Sequence, residues 1–349
     1  MKSLTPSSIR QMERAIEQHM YFIDIPGLAV CLLADKELVY VNGFGMADLS
    51  ANKRMTSGAI FHMASISKLF TATAVMQLHE QGKLDIDAPV QDYLKGFIPF
   101  SSAFGSITIR QMLSHTAGIP DCEDYEWEFP RYDDQALHDY VMSQTEMRLL
   151  SEPGKRFFYS NIAYEMLGEL IQGLSGLTFE DYCKKYLFIP MGMLQSDFLK
   201  ERVSSGRLVQ PHIKDRANQV KVSDVFPYHR AHGPSSTLYS TVEELSLFAA
   251  AMMDTLEGKR KDIIAPATLK TMLTYQAVIK SGERIGLGWF ISDYADQLFY
   301  GHEGNDIGFR TTFAMIPQKR TAIIVLANLQ TASTRKIMRT IYDMTVGSD

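Results

Sequence analysis

The first residues in this chain that could do chemistry as a set are a serine and a lysine three apart. Ser-x-x-Lys occurs at Ser50–Lys53, Ser65–Lys68 and Ser333–Lys336, so context must separate them. Ser50 lies in the polar loop 48–54 and Ser333 among basic residues, where both side chains are expected to be solvated. Ser65 opens a nearly unbroken apolar stretch to Gln81, which places Lys68 on the same helical face and inside the protein. A buried lysine must snorkel, pair or give up its proton. In the third case it can take the proton of a serine hydroxyl, itself a poor nucleophile, while the helix N-terminus favours developing negative charge. On pattern alone, a helix cap at Ser65 with a paired structural lysine accounts for the spacing as well as catalysis does.

Two further groups bear on this. Tyr159-Ser160-Asn161 stands at the start of an apolar helix after the turn 152–155, where a phenol and an amide can face a cleft. A second Tyr-x-Asn, Tyr40 to Asn42, ends a strand and reads as structural. For a third group there are two candidates, Lys280-Ser281-Gly282 in a polar turn and His302-Glu303-Gly304, which Asn305 and a strand follow. The second is the better place to offer backbone N–H groups. Other chemistries find little support: there is no Gly-x-Ser-x-Gly elbow and no phosphate-cradling Gly-x-x-x-x-Gly-Lys loop, and His229 and His232 lack the further ligands of a metal set.

These residues need elements to hold them. Apolar positions at Ile9, Met12, Ile16 and Met20 predict a surface helix over 7–20. Runs at 27–34 and 38–41 predict an antiparallel hairpin, after which Asn42-Gly43-Phe44-Gly45 is expected to bend the chain away. A buried helix over 65–81 should end at the Gly82 cap. From 83 to 224 the pattern is mostly helical, with pieces at 107–114, 134–149, 161–174 and 178–187. Helices at 241–253 and 266–275, strands at 285–291, 308–316 and 321–327, and a helix from about 332 complete the chain. The economical arrangement is an α/β domain from residues 1–82 and 225–349, with 83–224 inserted as a mainly helical domain.

Composition sets outer bounds. The chain has 349 residues, 46% hydrophobic and 21% charged, enough for a large core and unlike a disordered protein. Thirty-five Lys plus Arg against 40 Asp plus Glu give a net charge of -5, without the basic excess that nucleic-acid binding demands. Cys31, Cys122 and Cys183 are too scattered for a disulfide framework or a zinc site. No signal peptide is read at the start and no run is long enough to span a membrane, so a cytoplasmic protein is expected.

In their order and spacing the three groups resemble the serine β-lactamase and penicillin-binding-protein superfamily, specifically the class C β-lactamase-like branch with its esterases, D-aminopeptidases and DD-peptidases. Residues 84–90, 109–118, 158–161, 190–193, 238–241 and 286–289 carry the likeness as well, and it covers about 20–330. The resemblance implies a β-lactamase/transpeptidase-like α/β (α+β) fold, an antiparallel sheet flanked by helices plus an inserted all-helical domain, with the site in the cleft between. It implies Ser65 as nucleophile, Lys68 as base, Tyr159 as proton relay, and Asn161 orienting the lysine or a substrate amide. The N–H groups of Ser65 and Asn305 would form the oxyanion hole, and His115 would hold the helical domain against the site. No metal or cofactor is implied.

Two departures matter. His302 stands where lysine or histidine begins the third motif, with a charge that sequence leaves undefined. Glu303 stands where Thr or Ser usually helps hold a β-lactam carboxylate, and it repels an anion unless protonated or paired, with Arg310 one such partner. The expected protein is a hydrolase of a small ester, amide or peptide, either a carboxylesterase or a D-amino-acid-type peptidase with poor β-lactam turnover. The alternatives are a β-lactamase or DD-carboxypeptidase, and a non-catalytic relative that binds ligand or assembles. Trp127, Phe129, Tyr132 and Tyr228 are equally readable as cleft walls or core aromatics, and oligomeric state is not legible.

Overall fold

A computed structural model describes residues 4–99, 101–279 and 281–347. Its centre is a nine-stranded antiparallel sheet. In chain order the strands are β1 (Gly27–Ala34), β2 (Glu37–Asp48), β3 (Lys53–Arg54), β4 (Ala277–Val278), β5 (Arg284–Ile285), β6 (Phe290–Tyr294), β7 (Gln297–Asp306), β8 (Phe309–Ile316) and β9 (Thr321–Ala327). Their order across the sheet is β3-β2-β1-β9-β8-β7-β6-β5-β4.

Every residue of β1 and of β9 is buried. An antiparallel strand reads as a continuous apolar run only when both faces of the sheet are covered. Alternation sends Ala29, Cys31 and Leu33 into a core shared with the buried helix α2 (Ser67–Glu80), whereas Leu28, Val30 and Leu32 meet the terminal helices α1 (Pro6–Ile23) and α5 (Thr334–Thr345). Helices α3 (Asn161–Ser175) and α4 (Val242–Leu256) pack in the first of these cores. The segment 83–224 also carries a short hairpin, His212–Lys214 against Val220–Val222.

The predicted helices occur within a few residues of their expected bounds, and Gly82 closes α2 at φ +68. Two expectations need correction. Asn42-Gly43-Phe44-Gly45 does not bend away but continues β2 to Asp48. At Gly45, which has φ +68, a Cβ would fall 2.1 Å from the Pro26 carbonyl oxygen, so glycine there serves a close strand pairing rather than a turn. The second is the run of three strands: the one expected at 285–291 is two short strands, β5 and β6, interrupted at 286–289, and β7 is omitted. Its glycines and acids disguise it, yet Gly301 is required because a Cβ would lie 1.9 Å from the Phe313 carbonyl oxygen of β8.

Candidate active site

Ser65 sits in the single 3-10 turn Ala64–Ile66 that leads into α2. Ala64 has φ +48, a left-handed conformation that costs a residue with a Cβ about 1 kcal/mol. Neighbours hold the turn in that shape: the Met63 carbonyl accepts from Thr311 Oγ1 at 2.8 Å, and Ser67 Oγ donates to the Ala64 carbonyl at 2.7 Å. Ser67 Oγ also accepts from the Leu238 N–H at 3.0 Å, tying the turn to the chain before α4.

Lys68, one helical turn on, is fully buried. Its Nζ lies 3.1 Å from Ser65 Oγ, 2.5 Å from Asn161 Oδ1 and 2.8 Å from the Ser235 carbonyl oxygen. A neutral amine has two hydrogens and one lone pair. The amide and carbonyl oxygens can only accept, so they take the two hydrogens and leave the lone pair facing the serine hydroxyl. Burial pushes the ammonium down to about 7, against the opposing fields of Glu165, Asp121 and Asp306.

Tyr159 completes the group. The Ser65 side chain favours its phenolate, but burial dominates and holds its pKa well above the ordinary phenol value, so it keeps its proton at neutral pH. Lys68 Nζ lies 4.9 Å from the centre of its ring. Asn161 begins α3, with Ser160 capping the helix by accepting from the Ala163 N–H at 3.0 Å. Its amide is oriented by residues that sequence reasoning missed. Asp121 Oδ1 accepts from both Asn161 N–H and Nδ2, each at 2.8 Å, and Tyr125 OH also receives Nδ2, which leaves Oδ1 for Lys68. Asp121 and Tyr125 lie in an acidic loop with no motif, so no local signal marks them.

The strand β7 forms the opposite wall. A Cβ on Gly304 would lie 2.3 Å from the Met63 carbonyl oxygen and 2.9 Å from Ala64 Cβ, so only glycine lets β7 lie so close to the serine turn. His302 is buried, with Nδ1 donating to the Glu303 carbonyl at 2.6 Å and its ring edge-on to Phe290 at 4.9 Å. Burial, reinforced by Lys68, pushes it down to about 3, so it is a neutral imidazole. Alternation along β7 turns Glu303 to the other face, where Arg310 Nη2 donates to it at 2.8 Å, as expected, and Arg335 of α5 adds a second ion pair. Asn305 is exposed at the rim. Lys280, of the alternative third group, lies outside the described residues.

A cavity of about 400 Å³ opens over Ser65, Tyr159, Asn161, His302 and Gly304, with Phe290 in its wall. None of Trp127, Phe129, Tyr132 and Tyr228 lines it. Trp127 instead stacks on Tyr125 at 4.9 Å, Tyr228 is buried, and Phe129 is 77% exposed.

The sequence profile of the family described as Beta-lactamase matches residues 12–344. The chain belongs to the Beta-lactamase family. Among its curated relatives, penicillin-binding protein 4 of Amycolatopsis lactamdurans is 26% identical over 87% of this chain and 81% of its own length. Penicillin-binding protein 4* of Bacillus subtilis is 25% identical over 84% of the chain, which spans 66% of that relative. In fold it is similar to the octameric penicillin-binding protein homologue of Pyrococcus abyssi, with TM-score 0.85, 26% identity, and coverage of 97% of this chain and 77% of that one. The D-amino acid amidase of Ochrobactrum anthropi SV3 shares the fold at TM-score 0.81 and 19% identity, covering 97% and 98%. As a Beta-lactamase family member it has the mixed α/β fold of these serine hydrolases. No helix among the described residues is long and apolar enough to cross a membrane.

Proposed function

We propose that this family member hydrolyses a small ester or amide through an acyl-enzyme on Ser65. The observation that carries the reading is the buried Lys68 amine, held by Asn161 and the Ser235 carbonyl with its remaining valence on Ser65 Oγ. Lys68 takes the hydroxyl proton as Oγ attacks the substrate carbonyl carbon, and the oxyanion settles between the N–H groups of Ser65 and Asn305. Tyr159 gives its proton to the leaving group as the tetrahedral intermediate collapses, and the proton that Lys68 took from Ser65 restores it. Water attacks the acyl-enzyme by the reverse path and releases the acid.

The substrate class follows from charge. His302 is neutral and Glu303 is engaged by two arginines, so the positions that would grip a carboxylate beside the nucleophile offer no free cation there. This favours a neutral ester or a D-amino-acid-type amide with a free amino group. The names of the penicillin-binding relatives support the second reading, a β-lactamase or DD-carboxypeptidase.

The test is the time course of p-nitrophenyl butyrate hydrolysis by wild type and Ser65→Ala. A burst that disappears in the variant supports the acyl-serine. Equal turnover by both proteins would overturn it. Side-by-side rates on D-amino-acid amides and on penicillin then decide between the two substrate readings.

A further inference from the structure

Helix α3 buries an apolar face of Ile162, Tyr164, Met166, Leu167 and Leu170, and among them a carboxylate, Glu165, with none of its surface exposed. An isolated buried carboxylate is expensive unless hydrogen bonds compensate it. Here Oε1 accepts from Ser235 Oγ at 2.5 Å and faces His232 Nδ1 at 3.0 Å, while Oε2 has no partner. The same Ser235 presents its backbone carbonyl to Lys68 Nζ at 2.8 Å. Glu165 also stands one helical turn after Asn161, the other acceptor of Lys68, so α3 supports both oxygens that hold the amine.

We propose that Glu165 is a positioning residue for the acylating pair: through Ser235 it fixes the carbonyl that receives Lys68, and its buried negative charge sets the pH at which Lys68 becomes the free amine. The inference rests on the reading of Lys68 as the base of Ser65.

Other groups face Lys68 from every side. Asp121 and Asp306 add negative charge from the 121–125 loop and from β7. His115 and His302 are held neutral by burial, and Tyr159, Tyr164 and Tyr125 are held protonated by it. Glu165 itself is faced by His232 and Ser235, with Cys122 and Tyr140 also within its field. Burial raises Glu165 above the usual carboxylate range, and the partners His232 and Ser235 oppose that rise. Of the carboxylates acting on Lys68, Glu165 has the largest effect.

The sign of the effect is definite. A carboxylate favours the ammonium, so removing its charge makes Lys68 lose its proton more easily. Glu165→Gln keeps the shape and an oxygen for Ser235 but not the charge. The experiment measures kcat/KM against pH with p-nitrophenyl butyrate for wild type, Glu165→Gln, Glu165→Asp and Ser65→Ala. The expected result is an acid limb displaced to lower pH by about one unit in Glu165→Gln, whatever the height of the plateau. Glu165→Asp, which keeps the charge, should return the limb towards the wild-type position.

An unmoved limb, or one moved to higher pH, overturns the inference, because a purely structural role lowers the plateau without moving the limb. Should Glu165→Gln fail to fold, Ser235→Ala carries the same test. Losing the hydroxyl donor favours the protonated acid and displaces the limb in the same direction. A dead Ser65→Ala beside a wild-type limb in Glu165→Gln ends this inference alone. An active Ser65→Ala ends the reading of function beneath it.

Discussion

The imidazole of His115 lies against the ring of Tyr159, centroids 4.3 Å apart and planes 27° from parallel. Its Nδ1 accepts the Ser160 N–H at 3.1 Å, so burial keeps it neutral with the proton on Nε2. One residue therefore backs the phenol and fixes the peptide that leads to Asn161. His115→Ala removes both, leaving a void and an unpaired buried N–H worth about 1–3 kcal/mol. We expect a lower thermal midpoint together with a fall in kcat, whereas His115→Phe should keep the stacking and recover part of the stability. A wild-type kcat in His115→Ala would show that Tyr159 needs no support from this ring.

The pH profile should report Lys68. Because burial pushes it down to about 7, the free amine grows as pH rises through neutrality, and kcat/KM should climb and then level off. An unshifted lysine would still be climbing at the highest workable pH. Lys68→Arg stays charged and should lose about a thousandfold in kcat, within the usual range for a removed general base. A flat profile from acid to neutral pH would contradict the assignment.

Asp121 tests whether the amide of Asn161 must be aimed. Asp121→Ala removes the acceptor of two N–H groups and leaves Tyr125 alone to hold the Asn161 amide in its orientation. The expected outcome is a kcat loss of about a hundredfold, the scale of a small misplacement at a reacting centre. KM for p-nitrophenyl butyrate should change little.

Gly304→Ala probes the contact between β7 and the serine turn. The added methyl meets Met63, Ala64 and Thr311, and overpacking of this kind costs about 1–3 kcal/mol. Activity should fall more than stability, because the displaced strand carries Asn305 and His302 away from Ser65. Full activity in this variant would mean that β7 can retreat without cost to the chemistry.

Glu303 occupies Arg310 and Arg335. Glu303→Gln should release the Arg310 guanidinium at the edge of the cavity, while Arg335 keeps Glu283, and lower KM for a substrate bearing a carboxylate by about tenfold, the scale of one charge-assisted hydrogen bond. The neutral ester should be unaffected. Equal changes for both substrates would separate Glu303 from specificity.

Much of this arrangement was legible in the residues alone. The apolar stretch after Ser65 specified a buried helix, since only continuous burial accommodates such a run, and three short motifs in order named Ser65, Lys68, Tyr159 and Asn161. Apolar runs and periodicity placed most helices and the strands β1, β2, β8 and β9 because those signals are local. What only the tertiary structure decided depends on contacts between distant segments. The glycines of β2 and β7 read as breaks until the neighbouring backbones that exclude a Cβ are in view. Asp121 and Tyr125 meet Asn161, the Ser235 carbonyl meets Lys68, and the Ser235 hydroxyl meets Glu165 only because α3 and two loops close around α2. The charges of Lys68 and His302 were equally undefined in sequence, because a proton's affinity is set by the burial and the neighbouring charges that the fold supplies.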